Sequence, residues 1–402
     1  MTAVNPALKL KRLQDLDVKG RRVLARVDYN VPMKDGKVTD DTRIRETLKT
    51  LEYLLAQNAK VVLIAHLGRP KGKSEPKYSL APVAPALAKL LKKPVTFAPD
   101  CVGPEADKVV AALQPGSVAL LENLRFHAEE EKNDPAFAAA LARHGDVFVQ
   151  DAFGAIHRAH ASTAGVCKHL PGGIGFLVQK ELEFLDRVIN NPTRPFLAII
   201  GGAKVSDKLG VLDKLLDKVD GLLVGGGMAY TFLKGQNVSI GKSLLEADQA
   251  DAAQAIVQKA YAKKIGFLLP ADHLVVAEIK PDAKPVVTQS MAVPQDMIGV
   301  DIGPHTIELF TEEIKKSKTI FWNGPMGIFE TDAFAGGTTA IAKAIAAATK
   351  KGAVSIVGGG DSLAAVGKAG LKDQISHCST GGGASLELLE GKVLPGLAAL
   401  AG

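Results

Sequence analysis

Cysteine is scarce in this chain. Cys101, Cys167 and Cys378 are the only three in 402 residues, far apart and without a C-x-x-C pair. That spacing indicates neither a disulfide framework nor a cysteine-rich zinc motif, and it fits a reducing compartment. Aromatic residues make up 5% of the sequence, with a single tryptophan at position 322. Long apolar runs are also missing: none approaches the ~20 residues of a membrane helix. The stretch from Met1 to Arg12 lacks a signal-peptide core. The cytoplasm is therefore the expected location, with no membrane partner. Blocks of one charge sign are absent too, because Lys and Arg alternate with Asp and Glu throughout. The formal charge of +6 and a pI near 9.0 then describe a mildly basic enzyme surface, with no nucleic-acid partner expected.

What the chain does have is Ala, Val, Leu and Gly, the composition of buried parallel strands under closely packed helices. Its length suggests two domains of roughly 200 residues. Strand-like runs recur at 22–27, 61–65, 118–121, 147–150, 196–200, 221–224, 267–269, 319–322 and 354–357, with helical segments between them. Ile44, Leu48, Leu51 and Leu55 form one apolar stripe, and Leu209, Leu212, Leu216 and Val219 another. Such alternation predicts an α/β protein: two Rossmann-like, three-layer α/β/α domains with mainly parallel sheets, facing across a hinged cleft. Pro171-Gly172-Gly173 is read as a break closing a first domain at 1–180. A helical stretch with Leu182, Leu185 and Ile189 on one face leads to Pro192 and Pro195, giving at 181–195 a hinge between lobes or, equally, a rigid strut, and a second domain at 196–388.

The strand ends differ between the halves. In the first half they carry charge: Arg-Val-Asp-Tyr-Asn at 26–30, His-Leu-Gly-Arg at 66–69, Glu-Asn-Leu-Arg-Phe-His at 122–127 and His-Arg-Ala-His at 157–160. In the second half they carry glycine, at 201–202, 225–227, 358–360 and 381–383. Ligands of open α/β sheets sit beyond the carboxyl ends of the strands, so these residues are expected to line the sites. Arg43 follows Thr39-Asp40-Asp41-Thr42, where a cation opposes the helix dipole unless an anion is bound in front of it or Asp40 or Asp41 pairs with it. Arg69, Arg125 and Arg158 follow separate strands, and guanidinium groups suit bidentate phosphate or carboxylate recognition. Asp28, Asn30 and His66 are placed to hold a hydroxyl or second charge, while His127 and His160 read as structural hydrogen-bonding partners.

Gly201 to Lys208 reads as a strand end opening a helix, with free N–H groups for an anion. Lys204 and Lys208 share a face there if the helix starts early enough. The stretch 235–243 has five residues between its glycines, one too many for a Walker A loop, and reads as an ordinary loop. Gly225-Gly226-Gly227-Met228 does not complete a dinucleotide fingerprint. Gly358, Gly359 and Gly360 precede Asp361 and Ser362; Asp361 reads either as an N-cap or as a contact of a magnesium–nucleotide complex. Glu330 suits ribose hydroxyls or a surface salt bridge. No general-base motif is evident, which fits an acceptor that is already an oxyanion.

Seven segments together resemble the phosphoglycerate kinase family: 26–32, 66–70, 122–126, 157–160, 201–208, 322–330 and 358–362. The resemblance runs in order from about residue 16 to the C-terminus. It implies phosphoryl transfer between 1,3-bisphosphoglycerate and ADP, with Mg2+ required, by a monomer acting in glycolysis. It further implies that Asp28, Asn30, Arg43, His66, Arg69, Arg125 and Arg158 bind 3-phosphoglycerate. Gly202, Ala203, Lys204, Lys208, Gly225, Gly226, Gly303, Asn323, Pro325, Glu330, Gly358, Gly359, Gly360, Asp361 and Ser362 are implied to serve the nucleotide, with Asp361 as the metal contact. Arg43, Lys204, Gly360 and Gly383 are the implied catalytic positions, and 389–402 the segment returning to the first domain. Departures are small: a longer start, Ala155-Ile156 where Thr-Ala is common, and Tyr29 in place of the usual Phe. Two other classes fit the chain less well. A nicotinamide dehydrogenase lacks its fingerprint, and an RNA binder rests on the pI alone.

Overall fold

A computed structural model describes residues 8–401. The chain divides into two compact units, one running to Glu183 and resuming at Val393, the other comprising Phe184–Lys392. Residues 1–7 and 402, at the ends of the expected spans 1–180 and 389–402, lie outside the described residues. The division falls inside one helix, Phe176–Asn190, so the expected hinge at 181–195 is the rest of that helix and the loop before Phe196.

The first unit holds a six-stranded sheet in the spatial order Val95–Ala98, Val118–Leu121, Lys60–Ile64, Arg22–Val27, Val147–Asp151, Gly172–Ile174. All its pairings are parallel. The strands are continuous apolar runs because both faces are covered. Val23, Ala25, Val61, Leu63, Val118 and Val149 enter one core with Ile44, Leu51 and Leu54 of helix Thr42–Ala56. Leu24, Val62, Ile64, Leu121 and Phe148 enter the opposite core with Val110 and Leu141. Alternation along each strand sends neighbours to opposite layers.

The second unit has the order Gly266–Leu268, Gly221–Val224, Phe196–Ile200, Thr319–Asn323, Val354–Gly358, His377–Ser379, again parallel throughout. Counted along the chain this is 3-2-1-4-5-6, the doubly wound dinucleotide order, whereas the first sheet runs 3-4-2-1-5-6. A separate antiparallel sheet of Val286–Val287, His273–Val276 and Ile298–Ile302 was not anticipated from the sequence.

Two boundaries differ from expectation. Pro171-Gly172-Gly173 does not end the first unit, because Gly172–Ile174 is its edge strand. The glycines are there for space: a Cβ on Gly173 would lie 2.6 Å from the Lys11 carbonyl oxygen. The segment that rejoins the first unit starts at Val393 rather than Leu389, since Leu389 closes the buried helix Gly382–Leu389 of the second. Helix Pro395–Ala401 then packs on the first unit, where the Gly396 N–H donates to the Ile156 carbonyl at 2.9 Å.

Candidate active site

The first unit gathers its charged residues along the carboxyl edge of its sheet. Asp28 ends the central strand and is buried, and it receives the Arg43 guanidinium in an ion pair. Arg43 lies in the first turn of helix Thr42–Ala56. Its partner is neither Asp40 nor Asp41: the Asp41 carboxylate takes Arg45 bidentately at 2.7 and 2.8 Å, and Asp40 accepts from the Thr42 N–H at 2.8 Å. Burial works against ionisation of Asp28, but Arg43, His66 and Arg26 outweigh it and hold the carboxyl at about 2. Asn30 is exposed and accepts from the Gly68 N–H at 2.9 Å, bridging two strand ends. Arg125, in the turn after Val118–Leu121, donates to the Gly68 carbonyl at 2.8 Å, with its Nε 3.4 Å from Glu131.

His66 is buried, and its imidazole is held well below its ordinary pKa, first by burial and then by Arg26. Arg26 sits 2.9 Å from the His66 Nδ1. A guanidinium can only donate, so Nδ1 accepts and Nε2 carries the proton. His66 is thus a neutral donor aimed by its neighbour. Arg69 and Arg158 make no side-chain hydrogen bond or ion pair among the described residues, and Arg158 acts electrostatically on Arg26, His66 and Arg125. His157 beside it is driven down to about 4 by burial, then by Arg158 and His160. Several cations lie close together here, and among the described residues Asp28, Glu130 and Glu131 are the carboxylates that act on them. His127 and His160 do contact carboxylates, Asp100 at 2.7 Å and Glu130 at 3.7 Å.

In the second unit the site lies where the strand order reverses, between Phe196–Ile200 and Thr319–Asn323. The backbones touch there: the Gly201 N–H donates to the Asn323 carbonyl and that of Gly202 to the Pro325 carbonyl, each at 2.9 Å. A Cβ on Gly226, at φ +68°, would lie 2.6 Å from the Gly202 backbone. A cavity of about 520 Å³ opens beside these glycines, lined by Gly202, Ala203, Gly226, Pro325, Glu330 and Asp361, together with apolar side chains from 244 to 328. Buried Asp301 also lines it, and burial raises that carboxyl to about 7 against hydrogen bonds from the Gly337 and Ile302 N–H groups.

Other expected nucleotide residues surround this cavity without lining it. Gly225 packs beneath Met326, where a Cβ would be 2.5 Å from Sδ. Gly303 lies apart: it precedes helix Pro304–Lys316, and its missing Cβ leaves room for the Asp272 carboxyl. Gly359, at φ +95°, is the N-cap of helix Gly360–Lys368, so Asp361 does not cap it. Asp361 and Glu330 are exposed and pair with no cation among the described residues. The Ser362 hydroxyl accepts from the Gly324 N–H at 2.7 Å. Gly382 packs on Gly359, which brings the loop before Gly383 onto the 358–360 turn.

The lysines differ from each other. Helix Leu209–Leu215 starts after Lys208, so Lys204 and Lys208 do not share a helix face. The Glu246 carboxylate explains the late start: it accepts from the N–H of Val205 at 2.6 Å and of Ser206 at 3.1 Å, and from the Ser206 hydroxyl at 2.5 Å. Part of the expected anion cradle is thereby filled by the protein itself. Lys204 is exposed, while Lys208 is half-buried and donates to the Asn323 side chain. Burial lowers Lys208 to about 8 against the raising effect of Asp207 and Asp361.

The family model described as phosphoglycerate kinase matches residues 13–392. The chain belongs to the phosphoglycerate kinase family. It is 56% identical over 393 residues to the phosphoglycerate kinase of Elusimicrobium minutum, covering 98% of each chain. It is also 56% identical to that of Dictyoglomus turgidum, covering 96% of this chain and 97% of the relative. Two solved phosphoglycerate kinases share the fold, each covering 97% of this chain and 98% of their own. That of Coxiella burnetii gives a TM-score of 0.84 at 45% identity, and that of Pyrococcus horikoshii 0.86 at 35%.

Within a phosphoglycerate kinase, sequence reasoning passed over two residues that shape the sites. Arg26 stands in the first charged motif, and an arginine inside a buried strand is the signal for it. Glu246 had none, because only the fold brings it 40 residues back onto Ser206.

Proposed function

We propose that the chain transfers a phosphoryl group reversibly between 1,3-bisphosphoglycerate and ADP, giving 3-phosphoglycerate and ATP. The bond broken is the acyl phosphate P–O, and the bond formed joins that phosphorus to the terminal oxygen of ADP. The observation that carries this reading is the convergence of Arg43, Arg125 and Arg158 with Asn30 and neutral His66 on one sheet edge, a donor set matched to a small phosphorylated carboxylate. Family membership supports the kinase chemistry. Both acceptor groups are oxyanions in either direction, so no proton has to be abstracted and alignment with charge stabilisation suffices. Arg43, held by Asp28, is assigned to the transferring group together with Lys204, and Arg69, Arg125 and Arg158 to the remote phosphate. Gly360 and Gly383 are assigned to backbone stabilisation of the same charge.

On the nucleotide side, the glycines at 202, 226 and 358–360 let the ligand lie against the backbone, Glu330 takes the ribose hydroxyls, and Lys208 with Asn323 faces the phosphates. Mg2+ fits the exposed, unpaired Asp361 carboxylate, a hard oxygen donor of the kind that shares the ion with phosphate oxygens. When bound, the ion neutralises phosphate charge. Because the two half-sites belong to separate units, the reaction requires them to come within the ~3–3.5 Å of a near-attack geometry. We assign that closure, which also excludes water from the acyl phosphate, to the segment around 181–195. A monomer in the cytoplasm completes the reading. A coupled assay for ATP formation from 1,3-bisphosphoglycerate and MgADP tests it. Turnover at ordinary kinase rates is expected, and absence of ATP despite intact ADP binding would overturn it.

A further inference from the structure

Three residues outside both half-sites form a constellation that the sequence spacing conceals. Asp100 and Cys101 follow the strand Val95–Ala98, while His127 follows the turn Leu124–Phe126 that carries Arg125. One ligating atom from each lies within 4.8 Å of the others. We propose that Asp100, Cys101 and His127 form a site for a thiophilic divalent cation of the zinc class, with solvent completing the coordination.

The donors suit such an ion. Thiolate, imidazole and carboxylate are the zinc ligand types, whereas Mg2+ takes oxygen donors and keeps its water. Tetrahedral bonds of ~2.0–2.3 Å place donor atoms about 3.3–3.8 Å apart, within reach of small side-chain rotations here. The positions are already fixed. The Asp100 carboxylate lies 2.7 Å from the His127 Nε2 and accepts from the Cys101 N–H at 2.6 Å. The Cys101 carbonyl meets the His144 Nε2 at 3.2 Å. The His127 ring rests on Phe137 at a centroid distance of 5.2 Å.

The sulfur is the uncommitted member. Sγ of Cys167 and Cys378 reach backbone carbonyls at 3.7 and 3.9 Å, whereas that of Cys101 has no hydrogen bond among the described residues. Cys101 is buried, but the side chains of Asp100 and His127 are 44% and 28% exposed and give the ion a way in. As the metal–sulfur bond forms, the thiol proton leaves to solvent; the His127 Nε2 proton that bonds Asp100 passes through solvent to Nδ1, and the Asp100–His127 hydrogen bond is exchanged for two metal bonds.

The test is a Co2+ titration of the full chain, freed of metal, followed by absorption. One Co2+ per chain is expected, with a sulfur-to-cobalt charge-transfer band and tetrahedral d–d bands that Zn2+ abolishes by displacement. C101S should remove the charge-transfer band. H127Q leaves the buried thiol in place and should weaken Co2+ binding by at least about tenfold; circular dichroism checks that both variants fold. Absence of the charge-transfer band in the folded wild type at saturating Co2+ would overturn the proposal. So would a band undiminished in C101S, or Co2+ affinity unchanged in H127Q.

Discussion

In the function proposed above, the two half-sites each hold a polyanion, and they are built from opposite materials. The first uses long cationic side chains drawn from three strand ends and one helix start, with Asp28, Glu130 and Glu131 among them to offset the like charge. The second removes side chains. At Gly201, Gly226 and Gly324 a Cβ would come within 2.6 Å of neighbouring backbone, so two loops interlock through backbone hydrogen bonds and leave a cavity beside them. A side-chain site should lose function residue by residue while the fold survives. A backbone site should lose fold and ligand together.

The comparison breaks first at Arg43. Replacing it with alanine is expected to lower kcat by roughly 10²–10³, the scale of losing one preorganised donor to developing charge, and to lower the thermal midpoint as well, because buried Asp28 loses its counter-charge, while the fold is kept. Steady-state kinetics at saturating substrates checks this; near-wild-type turnover would detach Arg43 from the transferring group. Next comes Gly226→Ala, expected to destabilise the protein by about 3 kcal/mol and to abolish ADP binding, because the new Cβ meets backbone atoms that cannot move independently. Gly202→Ala, with open space at its Cβ and only a φ of +105° against it, should cost less. Denaturant midpoints of the two variants test that order.

A smaller effect concerns acid stability. Asp28 has its folded pKa at about 2, below the ordinary carboxylate value of 3.8. The unfolded chain therefore binds more protons between those values, and the stability that Asp28 contributes is present above pH 4 and lost as pH falls toward 2. It amounts to about 2 kcal/mol, and Asp28→Asn should flatten that part of the stability–pH curve. The smallest effect is at Lys208, at about 8. Raising pH through that value removes its charge, so ADP affinity should fall severalfold across pH 7–9, and Lys208→Arg should remove the inflection.

Much of this contrast is legible in the chain itself. Strands such as Phe196–Ile200 read correctly because a parallel strand buried on both faces leaves an uninterrupted apolar run, and the residue after the run is the site residue. The edge strands escaped. Gly172–Ile174 is disguised by a turn-like Pro-Gly-Gly, and His377–Ser379 carries polar residues that pair only at the margin of a sheet. The antiparallel strands 273–302 escaped because their runs are short and irregular, with a register shift between Leu274 and Val275. Within the sites, the candidate residues could be named one at a time, but their partners could not. That Arg43 takes Asp28 rather than Asp41, or that Glu246 fills the cradle before Lys208, depends on contacts between distant segments.

Crossed binding titrations test the division of labour most directly. Among the described residues the Arg158 side chain makes no hydrogen bond and Glu330 no ion pair, so Arg158→Ala and Glu330→Gln should leave the structure intact. The first should weaken 3-phosphoglycerate binding by at least about tenfold and leave ADP binding unchanged; the second should do the reverse. If either variant weakens both ligands in parallel, or Arg158→Ala leaves 3-phosphoglycerate affinity unaltered, the two regions are not the separate recognition surfaces described above.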